Sequence, residues 1–184
     1  MKSGCETVAR FPAFWGTPNA GSRWALTLGH TEKMTYSLRD ATLADHQELE
    51  GVFRRASLSN ENDRADLLQH PEWLALPERG IREGRMRLAL DEDEVIVGFA
   101  TFLINEAVAE LEDLFVDPEH RRRHIAELLV LDISRRVSDL GFEALEVTAN
   151  PHAMAFYEYM GFVTCGLAET EFYEALRMVR NVGQ

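Results

Sequence analysis

Leu114-Phe115-Val116-Asp117-Pro118 runs directly into Glu119-His120-Arg121-Arg122-Arg123-His124-Ile125-Ala126-Glu127. The apolar triplet closes a short stretch that predicts a strand over 110–116. Beyond the arginines, Ile125, Leu128, Leu129, Ile133, Val137 and Leu140 fall on one helical face. That stripe predicts a helix over 122–140, with Gly141 as its left-handed C-terminal cap. A strand that passes through a basic turn into a long helix points to a mixed α/β domain.

Three arginines at a helix start are electrostatically misplaced. The positive end of the helix dipole disfavours cations there, unless an anion lies among them. Exposed N–H groups and guanidinium groups together suit a phosphate. The alternative is that the arginines point into solvent and pair with Glu119 and Glu127, and the residues alone do not choose between the two. His120 and His124 lie one turn apart, but no third ligand is near and three arginines separate them, so no metal site is expected.

Outward from this stretch the same alternation continues. Downstream, 144–148 reads as a strand, and Asn150 caps a helix whose first residue is Pro151 and whose end is Gly161. Residues 162–165 and 172–179 read as the last two strands. Upstream, a short strand over 36–39 precedes a helix with Leu43, His46, Leu49, Val52 and Phe53 at helical spacing. A polar loop over 57–63, a short helix over 64–70 and an irregular stretch around Pro71, Trp73 and Pro77 follow. Strands are expected over 85–90 and, buried, over 95–104, with an acidic turn between them. Residues 1–33 hold Pro12, Gly16, Pro18, Gly21 and Gly29 and no sustained periodicity. They read as an extension, disordered or non-native, before a domain over 34–184 that starts at Met34.

Composition narrows the function classes. The chain has 184 residues, 46% hydrophobic and 27% charged, which suits a folded domain. Its two cysteines, Cys5 and Cys165, supply neither a disulfide framework nor a zinc module, and a cytoplasmic setting is expected. Cys165 has no His nearby in sequence and reads as core, not as a nucleophile. The longest nearly apolar run, 95–104, is half of the about 20 residues a membrane span needs. Net charge is −12, with 31 acidic against 19 basic side chains, which argues against nucleic acid as a partner. Residues 1–33 carry +2, leaving −14 on the rest, a field that favours small cations.

The basic stretch resembles motif A of the GNAT acetyltransferases, Arg/Gln-x-x-Gly-x-Gly/Ala. Arg121 and Ala126 match its ends, while His124 stands where the family has its first glycine. Asn150-Pro151-His152-Ala153-Met154-Ala155-Phe156-Tyr157-Glu158-Tyr159-Met160-Gly161-Phe162 is similar to the family's motif B. The resemblance covers residues 36–180. It implies the acyl-CoA N-acyltransferase fold: a mixed, mostly antiparallel sheet flanked by helices, with a splayed pair of parallel strands.

It also implies acetyl-CoA as acyl-donor co-substrate. The backbone of Leu114, Phe115 and Val116 would hydrogen-bond the pantetheine arm. The amides of Arg122, Arg123, His124, Ile125, Ala126 and Glu127 would hold the pyrophosphate, with charge added by Arg121, Arg122 and Arg123. The histidine would crowd the phosphate or need an unfavourable backbone conformation. Asn150 is explained as an N-cap, though the family also uses it near pantetheine.

An amine nucleophile needs a base, because an ammonium has no lone pair. Leu-Glu-Asp-Leu-Phe-Val is similar to the diamine and thialysine acetyltransferases, which implies Glu112 as that base. Asp113 and Glu110 are weaker candidates for the base, and Asp113 is expected to bind substrate. Motif B implies Tyr157 as the acid that protonates the departing thiolate. Acceptor recognition is expected from 57–73, with Glu61 and Asp63, and from 168–173, with Glu169 and Glu171.

The expected activity is therefore transfer of acetyl to a primary amine of a small cationic molecule by direct attack. The alternatives are a non-catalytic acyl-CoA-binding or sensing domain, suggested by His124, and a protein N-terminal or lysine acetyltransferase. No metal, nucleic acid or membrane is expected as a partner, and homodimerisation stays open.

Overall fold

A computed structural model describes residues 35–105, 108–169 and 174–183. The N-terminal extension, Cys5, Glu171 and the start of the predicted last strand lie outside them.

In chain order the regular elements are β1 (Ser37–Asp40), α1 (His46–Leu58), α2 (Glu61–Gln69), α3 (Arg79–Arg82), β2 (Met86–Leu90), β3 (Ile96–Ile104), β4 (Ala109–Val116), α4 (Ile125–Asp139), β5 (Ala144–Ala149), α5 (Met154–Tyr159), β6 (Val163–Glu169) and β7 (Glu174–Asn181). The strands form one sheet in the order β1-β2-β3-β4-β5-β7-β6. Pairing is antiparallel at β1–β2, β2–β3, β5–β7 and β6–β7, and parallel at β4–β5. This is the mixed, mostly antiparallel sheet that the resemblance implies.

By their contacts the described residues fall into two compact units, one from 35–101 and 113–130, the other from 102–112 and 131–183. In the first, α1 buries Leu49, Val52 and Ala56, three positions spaced for one helical face. Leu49 and Val52 join Leu88 of β2 and Ile96 and Phe99 of β3 in a continuous core. Leu43, predicted to share that stripe, is 46% exposed, because the helix proper begins only at His46 after a 3-10 turn. Thr42 and Asp45 make a capping box there, and Arg39 grips Asp45 through two hydrogen bonds of 2.8 and 2.7 Å. That grip, with the Thr42 donors, holds the Asp45 carboxyl far below the usual carboxylate range.

β3 is buried from Ile96 to Phe102, as its apolar run predicts, but Val95 and Ile104 at its ends are exposed. Within it, a side chain at Gly98 would stand 2.9 Å from the Phe115 carbonyl and 3.2 Å from Cγ2 of Ile125. Only glycine leaves β4 and the first residue of α4 that close to β3.

In the second unit, Leu145, Val147 and Ala149 alternate into the core from β5. Ile133 and Val137 of α4 are fully buried, whereas Leu140, predicted as part of the same stripe, is 59% exposed. The helix has already ended: the Phe142 amide donates to the Val137 carbonyl across Gly141, whose φ is +89°. Gly161, at φ +83°, closes α5 as expected, and Phe162 beyond it is 2% exposed. Cys165 is half-buried on β6 and not a core residue.

Candidate functional site

The segment between β4 and α4 begins where the Asp117 amide donates to the Val97 carbonyl at 2.9 Å. Asp117 then caps a 3-10 turn whose first residue is Pro118, accepting the Glu119 amide on Oδ1 at 3.1 Å. Its other oxygen accepts Nε and a terminal nitrogen of Arg55 at 2.8 and 2.7 Å. Asp117 is 6% exposed, so a carboxylate there would be costly without that guanidinium. Four residues after Asp117, the Arg121 guanidinium donates to the Ser59 hydroxyl. The end of α1 therefore holds this segment at both Asp117 and Arg121. Upstream, Leu114, Phe115 and Val116 are half-buried, and the Phe115 ring meets Phe53 edge-on at 4.8 Å and lies 5.5 Å from Phe99.

α4 starts at Ile125, not at the predicted 122, so the three arginines precede the helix. All three are exposed. Arg122 and His124 both have φ +61°. A side chain in this left-handed region costs about 1–2 kcal/mol per residue. The His124 carbonyl accepts the Leu128 amide at 3.1 Å, which makes His124 the N-cap. The amides of Ile125, Ala126 and Glu127 consequently have no acceptor within the helix. The imidazole is engaged by the same turn, with Nδ1 2.7 Å from the Glu127 carboxylate. Since that carboxylate only accepts, Nδ1 carries the proton. Glu127, considered as a partner for the arginines, is thus occupied by His124.

On β4, Ala109 and Leu111 face the core, and Glu110 and Glu112 share the opposite face. Glu110 accepts the Thr148 hydroxyl at 2.9 Å, so the two strands are joined by side chains as well as by the register Ala109–Leu145 to Leu111–Val147. Glu112 is exposed and Asp113 half-buried. β4 runs on to Val116, five residues past its last register partner, Leu111.

Tyr157 is 8% exposed, with the Phe156 and Phe162 rings each 5.3 Å away. Burial pushes its phenol up to about 12, so the hydroxyl keeps its proton at neutral pH. Asn150 caps a 3-10 turn over Pro151–Ala153 by accepting the His152 amide at 2.9 Å. Glu61 and Asp63 sit in the first turn of α2, not in the loop predicted over 57–63. Asp63 accepts from the Asn60 amide group, and Glu61 is exposed. Among the predicted residues, direct contact links His124 to Glu127, and Arg121 is held by a residue not predicted, Ser59.

Arg55, Ser59 and Asp117 were not predicted to shape the site. The Asp-Pro step was a readable capping signal. Nothing in the sequence links Asp117 to Arg55, 62 residues away.

The GNAT acetyltransferase family model matches residues 47–162, and this chain belongs to that family. It is accordingly an acyltransferase of the N-acetyltransferase class that uses an acyl-CoA. The chain is similar in structure to a PaiA N-acetyltransferase from Thermoplasma acidophilum solved with coenzyme A: TM-score 0.63, 18% identity, covering 79% of this chain and 98% of that one. It is also similar to the ribosomal-protein-S18-alanine N-acetyltransferase of Escherichia coli (0.62, 15%, 81% and 95%). A phosphinothricin acetyltransferase of Sinorhizobium meliloti solved with AcCoA gives 0.61 and 21%, with coverage of 80% and 89%. No curated protein matches the chain. No helix among the described residues is long and apolar enough to cross a membrane.

Proposed function

We propose that this chain transfers acetyl from acetyl-CoA to the primary amine of a small cationic molecule, by direct attack and without an acyl-enzyme. The observation that carries the reading is the segment before α4. Two left-handed residues, a capped helix start and three amides without helical acceptors fit a diphosphate, with exposed Arg122 and Arg123 in the same segment. Arg121, engaged with Ser59, serves to position this segment.

Acetyl-CoA supplies an activated acyl group as its thioester. The backbone of Leu114 to Val116 would bind the pantetheine arm, with Asn150 in a supporting place. Glu112, exposed on β4, takes the proton from the ammonium and frees its lone pair, and Asp113 helps to seat the amine. Tyr157 supplies the proton that the leaving thiolate requires, a role supported by a phenol that stays protonated well above neutral pH. Glu61 and Asp63, with −14 on residues 34–184, favour a cationic acceptor.

The test pairs thermal melting with a thiol-release assay over a panel of amines. Acetyl-CoA at about 100 times its Kd should add about 2.7 kcal/mol of stability. Cationic primary amines should release thiol. A stabilised protein that turns over no small amine or peptide amine would be a binding domain, and an unchanged melt at millimolar acetyl-CoA would refute the donor assignment.

A further inference from the structure

His124 occupies a backbone conformation that favours glycine, and it does so beside a partner. Its φ is +61°, its carbonyl opens the α4 hydrogen-bond ladder at Leu128, and its Nδ1 lies 2.7 Å from Glu127. Glycine would adopt this conformation at no steric cost. A histidine adopts it against a penalty and needs a compensating interaction. The clasp to Glu127, three residues on, is such an interaction, and both groups are partly withdrawn from solvent, at 37% and 26% side-chain exposure.

Resting on the acetyl-CoA reading above, we propose that Glu127 is a positioning residue for the diphosphate site, acting only through His124. The carboxylate locks the N-cap in its left-handed form and so keeps the amides aimed at the anion. It does not touch the anion itself. Without the lock the segment spends part of its time in other conformations, and apparent affinity falls by the fraction lost.

The dependence on His124 separates this from other roles of a carboxylate in a first helical turn. A favourable charge on the helix dipole would act whatever stood at 124. A repulsive charge beside a diphosphate would make removal of Glu127 tighten binding.

The experiment is a double-mutant cycle read by acetyl-CoA Kd and steady-state kinetics. Glu127→Ala should raise Kd and KM for acetyl-CoA about fivefold to tenfold, the worth of one ordinary side-chain hydrogen bond, with kcat nearly unchanged. Glu127→Gln keeps an acceptor for Nδ1–H and should stay within about twofold of the wild type. His124→Gly sets its own reference Kd, and Glu127→Ala added to it should leave that Kd where it stands. Equal loss in both backgrounds, or tighter binding in both, overturns the proposal.

A ligand-free readout runs alongside. The Leu128 amide, which donates to the His124 carbonyl, should exchange faster in Glu127→Ala and at the parent rate in His124→Gly with Glu127→Ala. If no variant binds acetyl-CoA, the donor assignment has failed. The exchange rates then decide the clasp by themselves, and an unchanged rate in Glu127→Ala refutes it.

Discussion

Gly98→Ala tests the spacing on which the proposed donor strand depends. The added methyl would lie 2.9 Å from the Phe115 carbonyl oxygen, 3.2 Å from Cγ2 of Ile125 and 3.4 Å from Cα of Val116. Two of those three atoms are β4 backbone, so no rotamer change relieves them. Overpacking of this kind costs about 1–3 kcal/mol. Replacing a strand glycine returns about 0.5–1 kcal/mol by lowering the entropy of the unfolded chain. The net loss is then about 1.5 kcal/mol, which at this chain length lowers Tm by about 3–6 °C. Urea unfolding should show an earlier midpoint with an unchanged slope. The displaced atoms belong to Phe115, Val116 and the first residue of α4, so acetyl-CoA should also bind more weakly. Gly166→Ala, where nothing lies within 4 Å of the added carbon, is the control and should be neutral or slightly stabilising. A Gly98→Ala protein as stable as the wild type with unaltered acetyl-CoA affinity would refute the argument.

Tyr157→Phe should lower turnover about 100-fold or more while leaving acetyl-CoA affinity intact, as single-turnover kinetics and titration would show. The buried phenol, up at about 12 against an ordinary 10, also makes stability fall with alkali. Its contribution is full below pH 10 and is lost as pH rises to 12, about 3 kcal/mol in all by urea titration, and Tyr157→Phe should remove that loss. Glu112→Gln should slow turnover most at neutral pH and recover partly at high pH, where solvent supplies free amine; a flat deficit would move the base elsewhere. For a cationic acceptor, kcat/KM should fall as salt rises and fall further in a Glu61→Gln, Asp63→Asn double variant, and a neutral best substrate with no salt dependence would overturn the cationic assignment.

The parts of the fold governed by local periodicity were readable in advance. Leu49 and Val52 on α1, the alternation along β5 and the glycines closing α4 and α5 stand where spacing and capping rules put them. The errors lie where one residue must serve two roles. Arg122 to His124 carry no helix-breaking residue, yet two of them are left-handed, and α4 waits until Ile125. Leu140 fits the apolar stripe but falls on the turn made by Gly141. Leu58, Glu61 and Asp63 read as loop because of the polar residues around them, whereas Asn60 and Asp63 bond to each other through their side chains across the start of α2. At the site, residue chemistry was legible and partnership was not. Asp117 needs a guanidinium 62 residues distant, and only the folded chain brings it from α1.

The place of β7 bears on how the polypeptide is made. It comes last among the described strands, yet it lies inside the sheet, paired with β5 through Ala144–Asn181 to Ala149–Leu176 and with β6 through Val163–Val179 to Glu169–Glu174. A nascent chain that has not yet released residue 181 from the ribosome therefore holds two strands with open edges and no partner between them. Such edges are where chains pair wrongly with their neighbours. Loss of residues 174–181 strips the ladder from both flanking strands at once, so a stop codon or proteolytic cut before Glu174 should yield insoluble protein and not a trimmed enzyme.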